Sequence, residues 1–335
     1  MFKVAINGLG RIGRATLKIL LSEPKMRLAA VNDLVPASGL AYLLKFDSVY
    51  GRWEQPVTAA HEKLRIAGLE IPVLAEKDPA SLSWRDLSID LVFECTGKFR
   101  RREELAKHIS AGAKNVILSA PAKGEDVPTI VHAVNTAPGA PAQIISCASC
   151  TTNCITPVVE VMGRRVGIRK ATMTTIHAYT STQAVVDGGA RDFRRGRAAA
   201  VNMVPASTGA AVATTRALPE YRGRFDGVAV RIPVPIGSLA DIVFVTSRST
   251  SAEEVNRIFS EEAATERYRG VLGVTDESIV SSDIIGQTCA SIVDLTMTRV
   301  VDGDLVKVMS WYDNEWGYAS QMVREAAVLA TRSAP

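Results

Sequence analysis

The sequence predicts an α/β protein of two domains, and three stretches carry that prediction. At the N-terminus, Phe2-Lys-Val-Ala-Ile6 reads as a buried strand, Asn7-Gly-Leu-Gly-Arg-Ile-Gly13 as a turn, and Ile12, Ala15, Ile19 and Leu20 as the apolar stripe of a following helix. Near the middle, an apolar run from Ala142 to Ile145 gives way to Ser146-Cys-Ala-Ser-Cys-Thr-Thr-Asn-Cys154, which opens a second helical pattern. Beyond it the apolar runs lengthen: Lys170 to Tyr179, Phe225 to Val234, Leu239 to Ser247 and Ser291 to Tyr312. The first stretch predicts an N-terminal Rossmann dinucleotide-binding domain, and the last an α+β domain with a mixed or antiparallel sheet and helices on one side. The boundaries fall at 1–149, joined by the C-terminal helix 315–335, and at 150–314.

In the first domain, Arg27-Leu-Ala-Ala-Val-Asn32 is the next strand and ends at Asp33, 20 residues after Gly13. Strand, G-x-G-x-x-G, helix, strand and acid follow one another at the spacing a dinucleotide needs. Gly8 permits the tight turn, Gly10 lets a pyrophosphate approach the backbone, Gly13 lets helix and strand pack closely, and Asp33 accepts from a ribose hydroxyl. Lys63 to Ile66 and Leu69 to Leu74, around Ala67-Gly68, read as a hairpin. Leu91 to Gly97, Asn115 to Pro121 and Thr129 to Asn135 read as parallel strands buried on both faces. Cofactors bind at the carboxyl ends of such strands, which makes Lys77, Thr96, Gly97 and Ser119 cofactor neighbours.

The helix after residue 149 carries the chemistry. Ile155, Val158, Val159 and Met162 recur at the spacing of one buried face, and Ser149 stands at the N-cap, so Cys150 is the first helical residue. Unpaired N–H groups and the positive helix end favour a thiolate there, which makes Cys150 a candidate nucleophile. Two plainer readings compete. Cys147, Cys150 and Cys154 could hold a metal, but no fourth Cys or His lies close in sequence and the spacing repeats nowhere, so no metal is expected. All three could instead be small core residues, a reading that suits Cys154 on the apolar face.

Between the first strands of the second domain, Thr180 to Val204 is a long irregular segment rich in Gly and Arg, and a loop of that length is usually functional. The run from Ser291 to Tyr312 breaks at Asp302-Gly303, a favoured two-residue hairpin turn, and a helix from Glu315 to Thr331 follows. With 335 residues and 47 % hydrophobic content, the chain is expected to be globular. Met1 begins directly on a strand, no apolar run approaches membrane-spanning length, and five cysteines suit a reducing compartment, so a cytoplasmic location off the membrane is expected. The net charge of +4 gathers in Arg100 to Arg102 and Arg191 to Arg197. No aromatic residues interleave with these clusters as in a nucleic-acid surface, and a small anionic substrate or a polyanionic cofactor explains them.

Seven segments together resemble the phosphorylating glyceraldehyde-3-phosphate dehydrogenase family: Asn7 to Arg14, Asn32-Asp33, Ser119-Ala-Pro-Ala-Lys123, Ala148 to Asn153, His177-Ala-Tyr-Thr180, Ser207-Thr-Gly-Ala210 and Trp311 to Tyr318. The resemblance runs end to end. It implies that Cys150 is the nucleophile and His177 its base. It gives Arg11, Ile12, Asp33, Lys77, Ser119 and Asn314 to the cofactor, and Gly8, Gly10, Gly13, Thr96 and Tyr318 complete the expected cofactor set. Ser149, Thr151, Thr180, Arg195, Thr208, Gly209 and Arg231 go to the substrate and phosphate. It also implies a homotetramer, with the long loop packed near a neighbouring subunit's cofactor. Two departures stand out. Cys147 replaces a common Asn, and the loop after Asp187 has Gly188, Gly189 and Arg191 where a bulky residue, Pro and Lys are usual, which opens the choice between NAD and NADP.

The expected chemistry is attack of the Cys150 thiolate on an aldehyde, proton removal by His177, a thioester, and attack by inorganic phosphate. The nearest rival is an erythrose 4-phosphate dehydrogenase, a sister family that lacks the Tyr-Thr after the histidine and the Ser-Thr-Gly-Ala segment. A regulatory or RNA-binding module that has lost catalysis is the rival of another class, and Cys150 with His177 speaks against it. His177 as a satisfied structural histidine at a strand end is the plain alternative for that residue.

Overall fold

The structure, a computed structural model, describes residues 1–136 and 142–332. Two compact units emerge. One gathers Met1–Ile130, the segment ending at Ala148 and the last turns from Met322; the other gathers Val131–Asn135 and Ser149–Gln321.

The first unit contains β1 (Phe2–Asn7), α1 (Arg11–Leu20), β2 (Met26–Asn32), α2 (Ala37–Lys45), β3 (Phe46–Asp47), β4 (Gly51–Arg52), β5 (Val57–Ala60), β6 (Lys63–Ile66), β7 (Leu69–Leu74), α3 (Trp84–Leu87), β8 (Leu91–Glu94), α4 (Arg102–Ser110), β9 (Asn115–Leu118) and β10 (Ile144–Ser146). Its main sheet runs β10-β9-β8-β1-β2-β7-β6-β5, parallel from β10 to β7 and antiparallel through the last hairpin. The chain leaves β1 toward β2 and later returns to β8 on the other side. The order therefore reverses at β1, which opens a crevice above its carboxyl end. Strands buried on both faces explain the unbroken apolar runs at β8 and β9.

Two expectations change here. The buried residues of α1 are Gly13, Ala15, Thr16, Leu17, Lys18 and Leu20, so Ala15 and Leu20 face inward as expected, while Ile12 and Ile19 stay half-buried. Thr129 to Asn135 is not a strand: Thr129 makes a single bridge to Ser146, and the chain then turns, with Val134 N–H donating to Val131 O and Ala133 at φ +65°.

The second unit holds α5 (Cys150–Arg165), β11 (Ile168–Ala178), β12 (Val204–Ser207), α6 (Ala210–Ala217), β13 (Phe225–Ile232), β14 (Ser238–Thr246), α7 (Ala252–Ala263), β15 (Leu272–Thr275), β16 (Ser291–Asp294), β17 (Arg299–Val301) and β18 (Leu305–Tyr312). Its sheet runs β12-β13-β11-β14-β18-β16-β15 and is mixed: β11 with β13 and β15 with β16 are parallel, the other pairs antiparallel. Along β14 every second residue is buried, and Ala240, Ile242 and Phe244 join one core with Ile155, Val158, Val159 and Met162 of α5 and with residues of α6 and α7. Each fully buried Val, Ile, Met or Phe side chain among them is worth roughly 1.5–3 kcal/mol. The β17–β18 turn has three residues rather than two, because Val301 pairs with Leu305. Asp302 and Gly303 both take positive φ, and Asp304 is held by Thr246 N–H donating to its carbonyl. The final helix, α8, is Trp316–Arg332; the expected extension to 335 lies outside the described residues. Among the described residues no helix is long and apolar enough to cross a membrane.

Candidate active site

The crevice above β1 is shaped by two glycines that no other residue could replace. Gly8 has φ +92°, and a Cβ there would lie 2.8 Å from Thr96 N; at Gly13 it would lie 2.0 Å from Gly8 O. Gly10 differs: nothing lies within 4 Å of its would-be Cβ, and it starts α1 with no capping side chain, leaving that helix end to an anion. Asp33 Oδ2 accepts from Leu9 N–H at 2.7 Å and Oδ1 from Val35 N–H at 2.9 Å, so this carboxylate braces the glycine loop while facing the crevice. A cavity of about 480 Å³ opens there, lined by Gly8, Gly10, Asp33, Lys77 and Thr96 among others. The residues fit a dinucleotide: tight glycines, an open helix end and an acid at the second strand.

The other expected cofactor residues are distributed around that cavity and beyond it. Arg11 turns its guanidinium to Asp47 (2.7 Å) and over the Tyr50 ring, so toward the crevice it offers backbone rather than charge. Ile12 is half-buried in the first turn. Ser119 follows β9, donates its N–H to Glu94 O and hydrogen-bonds Cys95 with its side chain. Asn314 and Tyr318 belong to the second unit, both buried.

Beneath the glycine loop lies a group that the sequence did not disclose. Glu94, fully buried, accepts from Asn7 Nδ2 (2.6 Å), Thr96 N–H (2.8 Å) and His108 Nε2 (3.1 Å), and contacts the Thr96 hydroxyl. Trp84 Nε1–H donates to His108 Nδ1 at 3.0 Å. An indole N–H only donates, so the His108 proton sits on Nε2, pointing at Glu94.

In the second unit Ser149 caps α5 as expected, its Oγ accepting from Thr152 N–H at 3.1 Å. Cys150 Sγ lies 3.4 Å from His177 Nε2. The parallel register of β11 and β13 sets His177 opposite Arg231, and Arg231 Nη1 approaches His177 Nδ1 at 2.8 Å and Ala178 O at 3.0 Å. Tyr312, from the end of β18, holds its hydroxyl between Thr151 Oγ1 (2.9 Å) and Thr175 Oγ1 (2.7 Å) and stands edge-on to the His177 ring. Sequence reasoning missed this role, because an aromatic residue ending a strand reads as core.

The electrostatics correct one expectation. The helix end does not by itself favour the thiolate: burial pushes the Cys150 thiol up, while Arg231 and hydrogen bonds from Thr151 pull it down. Burial, and then the Arg231 charge, push His177 down to about 3, so the imidazole is neutral. Cys154, by contrast, is pushed up to about 12 by burial beside Ser310 and Ser291 and belongs to the core.

The anion-binding candidates surround this pair. Arg195 turns inward from the long loop, donating to Thr182 Oγ1 (3.3 Å) and Ser207 O (3.2 Å), whereas Arg194 and Arg197 are exposed and Arg197 pairs with Asp187. Thr208 Oγ1 accepts from Ala210 N–H at the start of α6, and Gly209 beside it is exposed. Thr180 Oγ1 is 2.9 Å from Thr182 Oγ1. Asn314 Oδ1 accepts from Ser238 Oγ (3.0 Å), which in turn accepts from Ala178 N–H, so Asn314 steadies the strand end that carries His177.

Two family models match the chain. The glyceraldehyde 3-phosphate dehydrogenase NAD binding domain covers residues 2–102 and the C-terminal domain of the same enzyme covers 149–314. Fold and match define an NAD-dependent oxidoreductase. The chain is 46 % identical over 332 residues to the glyceraldehyde-3-phosphate dehydrogenase of Geobacillus stearothermophilus, with 98 % of each protein covered. It is 47 % identical over 336 residues to that of Clostridium pasteurianum, with 98 % of this chain and 99 % of the relative covered. The chain belongs to the glyceraldehyde-3-phosphate dehydrogenase family.

Proposed function

We propose that the protein catalyses the reversible oxidative phosphorylation of D-glyceraldehyde 3-phosphate to 1,3-bisphosphoglycerate with NAD, through a thioester on Cys150. The observation that carries this reading is a thiol at a capped helix start, 3.4 Å from a buried imidazole, with two inward arginines beside it. Cys150 attacks the aldehyde carbon to form a hemithioacetal, and His177 Nε2 takes the hydroxyl proton as the carbon is oxidised. NAD, when bound, supplies the hydride acceptor. Inorganic phosphate then attacks the thioester carbonyl and the thiolate leaves.

Two phosphates must be held, the substrate's own and the attacking one. Ser149, Thr151, Thr180, Thr208, Gly209, Arg195 and Arg231 offer the hydroxyls, backbone N–H and guanidinium forks for that, arginine being suited to bidentate phosphate contact. Gly8, Gly10, Gly13, Asp33, Lys77, Thr96, Ser119 and the backbone of Arg11 and Ile12 hold the dinucleotide, and Asn314 and Tyr318 are counted with the cofactor residues on the family resemblance. The domains are 1–149 with 315–335, and 150–314. A homotetramer in the cytoplasm completes the proposal, supported by the family and by five free cysteines.

The test is a set of initial rates with glyceraldehyde 3-phosphate and erythrose 4-phosphate, with and without inorganic phosphate. A phosphate-dependent rate that favours the three-carbon substrate is expected; preference for the four-carbon one would overturn the reading.

A further inference from the structure

Beneath the crevice of the first unit, a chain of side chains crosses the carboxyl ends of four adjacent strands, β8, β1, β2 and β7. The parallel register sets Asn7 of β1 beside Glu94 of β8 and Asn32 of β2. Asn32 grips the Glu76 peptide that follows β7: its Nδ2 donates to Glu76 O at 2.9 Å and its Oδ1 accepts from Glu76 N–H at 2.9 Å. The same Nδ2 donates to Asn7 Oδ1 at 2.7 Å, and Asn7 Nδ2 donates to Glu94 Oε2 at 2.6 Å. Glu94 Oε1 accepts from Thr96 N–H at 2.8 Å and from the Thr96 hydroxyl. The chain thus begins next to Lys77 and ends on Thr96, and both line the cavity of about 480 Å³ that Asp33 also lines.

The direction of every link is fixed from outside the chain. Glu76 N–H can only donate, which turns Asn32 Nδ2 toward Asn7 and leaves Asn7 Nδ2 as the donor to Glu94. From the other side, the Trp84 indole N–H can only donate to His108 Nδ1, so the His108 proton on Nε2 is aimed at Glu94 Oε2, 3.1 Å away. Each Glu94 oxygen accepts twice, and no amide or imidazole here could be turned over without setting donor against donor. Asn7, Asn32, Glu94, His108 and Trp84 are at most 4 % exposed, so a broken link finds no water to replace it.

We propose that this relay sets the spacing between the Lys77 and Thr96 walls of the crevice and so preorganises it for the adenosine half of the dinucleotide. Asn32 and the fully buried His108 are then positioning residues for the cofactor, Asn32 acting through the Glu76 peptide and His108 through Glu94 and Thr96. The adenosine half belongs here because Asp33, the acid for its ribose, lines the same cavity. A crevice already held at its bound width has less to order when the ligand enters. With any one link cut, the two walls settle separately and binding must bring them back together. The proposal rests on the reading of this crevice as the dinucleotide site.

The experiment titrates the whole enzyme with NAD, AMP and nicotinamide mononucleotide by calorimetry. Asn32→Ala and His108→Leu are each expected to weaken NAD and AMP by about tenfold and to leave nicotinamide mononucleotide unchanged. The double variant should lose little beyond either single one, because members of one hydrogen-bond network do not add, whereas separate structural defects do. His108→Gln should restore binding, since its carbonyl can accept from Trp84 and its NH2 can donate to Glu94. Trp84→Phe removes only the indole N–H that fixes the His108 tautomer, and it carries the same cycle with Asn32→Ala should His108→Leu not fold. At saturating NAD, the burst of NADH that glyceraldehyde 3-phosphate gives in stopped flow should keep its wild-type rate in these variants.

Losses that add in the double variant, or that extend equally to nicotinamide mononucleotide, would mean plain structural damage and would overturn the relay. Single variants that bind NAD and AMP like the wild type would overturn it as well. A wild-type enzyme that takes up neither NAD nor AMP would instead remove the reading on which the relay rests.

Discussion

Cys150 stands between opposing influences: burial favours the thiol, while Arg231 and the first-turn N–H groups of α5 favour the thiolate. A thiolate forms there when its proton has a destination, and His177 Nε2 at 3.4 Å provides one. Cys150→Ser is therefore expected to fold and bind NAD with the burst abolished, whereas Cys154→Ser, altering a core sulfur near Ser291 and Ser310, keeps most of the activity; stopped-flow bursts of the two variants check this. His177→Asn should slow the burst by roughly 10²–10⁴-fold. The histidine also leaves a mark on stability. Its pKa falls to about 3 in the folded chain from an ordinary value of 6.5. Between those values the unfolded chain binds a proton that the folded one refuses, so stability is fully present above about pH 6.5 and declines as pH falls below it. Melting at pH 7 and pH 5 should show a smaller loss of Tm in His177→Gln than in wild type; equal losses would contradict the shift.

At the scale of elements, the glycine loop is held from below by the strand end that carries Glu94. Glu94→Ala would leave Asn7, Thr96 and His108 donors without their acceptor, at about 1–3 kcal/mol for each buried group left unpaired. Because the proposed role of the loop is to hold the cofactor and not the aldehyde, Tm should fall and the KM for NAD rise, with kcat much less affected. A loss confined to kcat would be the wrong signature. The glycines, Asp33 and the apolar face of α5 were legible in the sequence because their signals are local, a fixed spacing within one turn or one βαβ unit. Glu94, His108 and Trp84 were not, since their contact depends on how α3 and α4 pack against the sheet. Nor could periodicity set Arg231 opposite His177, because two strands separated by the long loop acquire their parallel register only in the folded sheet. Thr129 to Asn135 misled for the same reason: apolar composition matched a strand, but only Thr129 finds a partner, at Ser146.

For the whole molecule, cofactor preference weighs one carboxylate against an absent bulk. Both Asp33 oxygens are fixed by backbone N–H groups, so the charge cannot swing away from a 2′-phosphate. Two unit charges at ~4 Å interact by about 4 kcal/mol at an effective dielectric near 20. Gly188 and Gly189 leave open space, a Cβ at Gly188 meeting only Val186 O at 3.8 Å. NAD is thus expected to be preferred with measurable use of NADP. Asp33→Ala should narrow or reverse the gap, and Gly188→Leu should suppress NADP in the proposed tetramer. The ratio of kcat/KM for the two cofactors decides, and parity or better for NADP would contradict the dominance of Asp33. The central claim, a covalent thioester on Cys150, is tested most directly by mass spectrometry of the enzyme quenched after mixing with glyceraldehyde 3-phosphate and NAD in the absence of phosphate. The account predicts one phosphoglyceroyl group per chain, located on Cys150 by fragmentation and lost when phosphate is added before the quench. Turnover without an adduct, or an adduct on Cys147 or Cys154 instead, would contradict it.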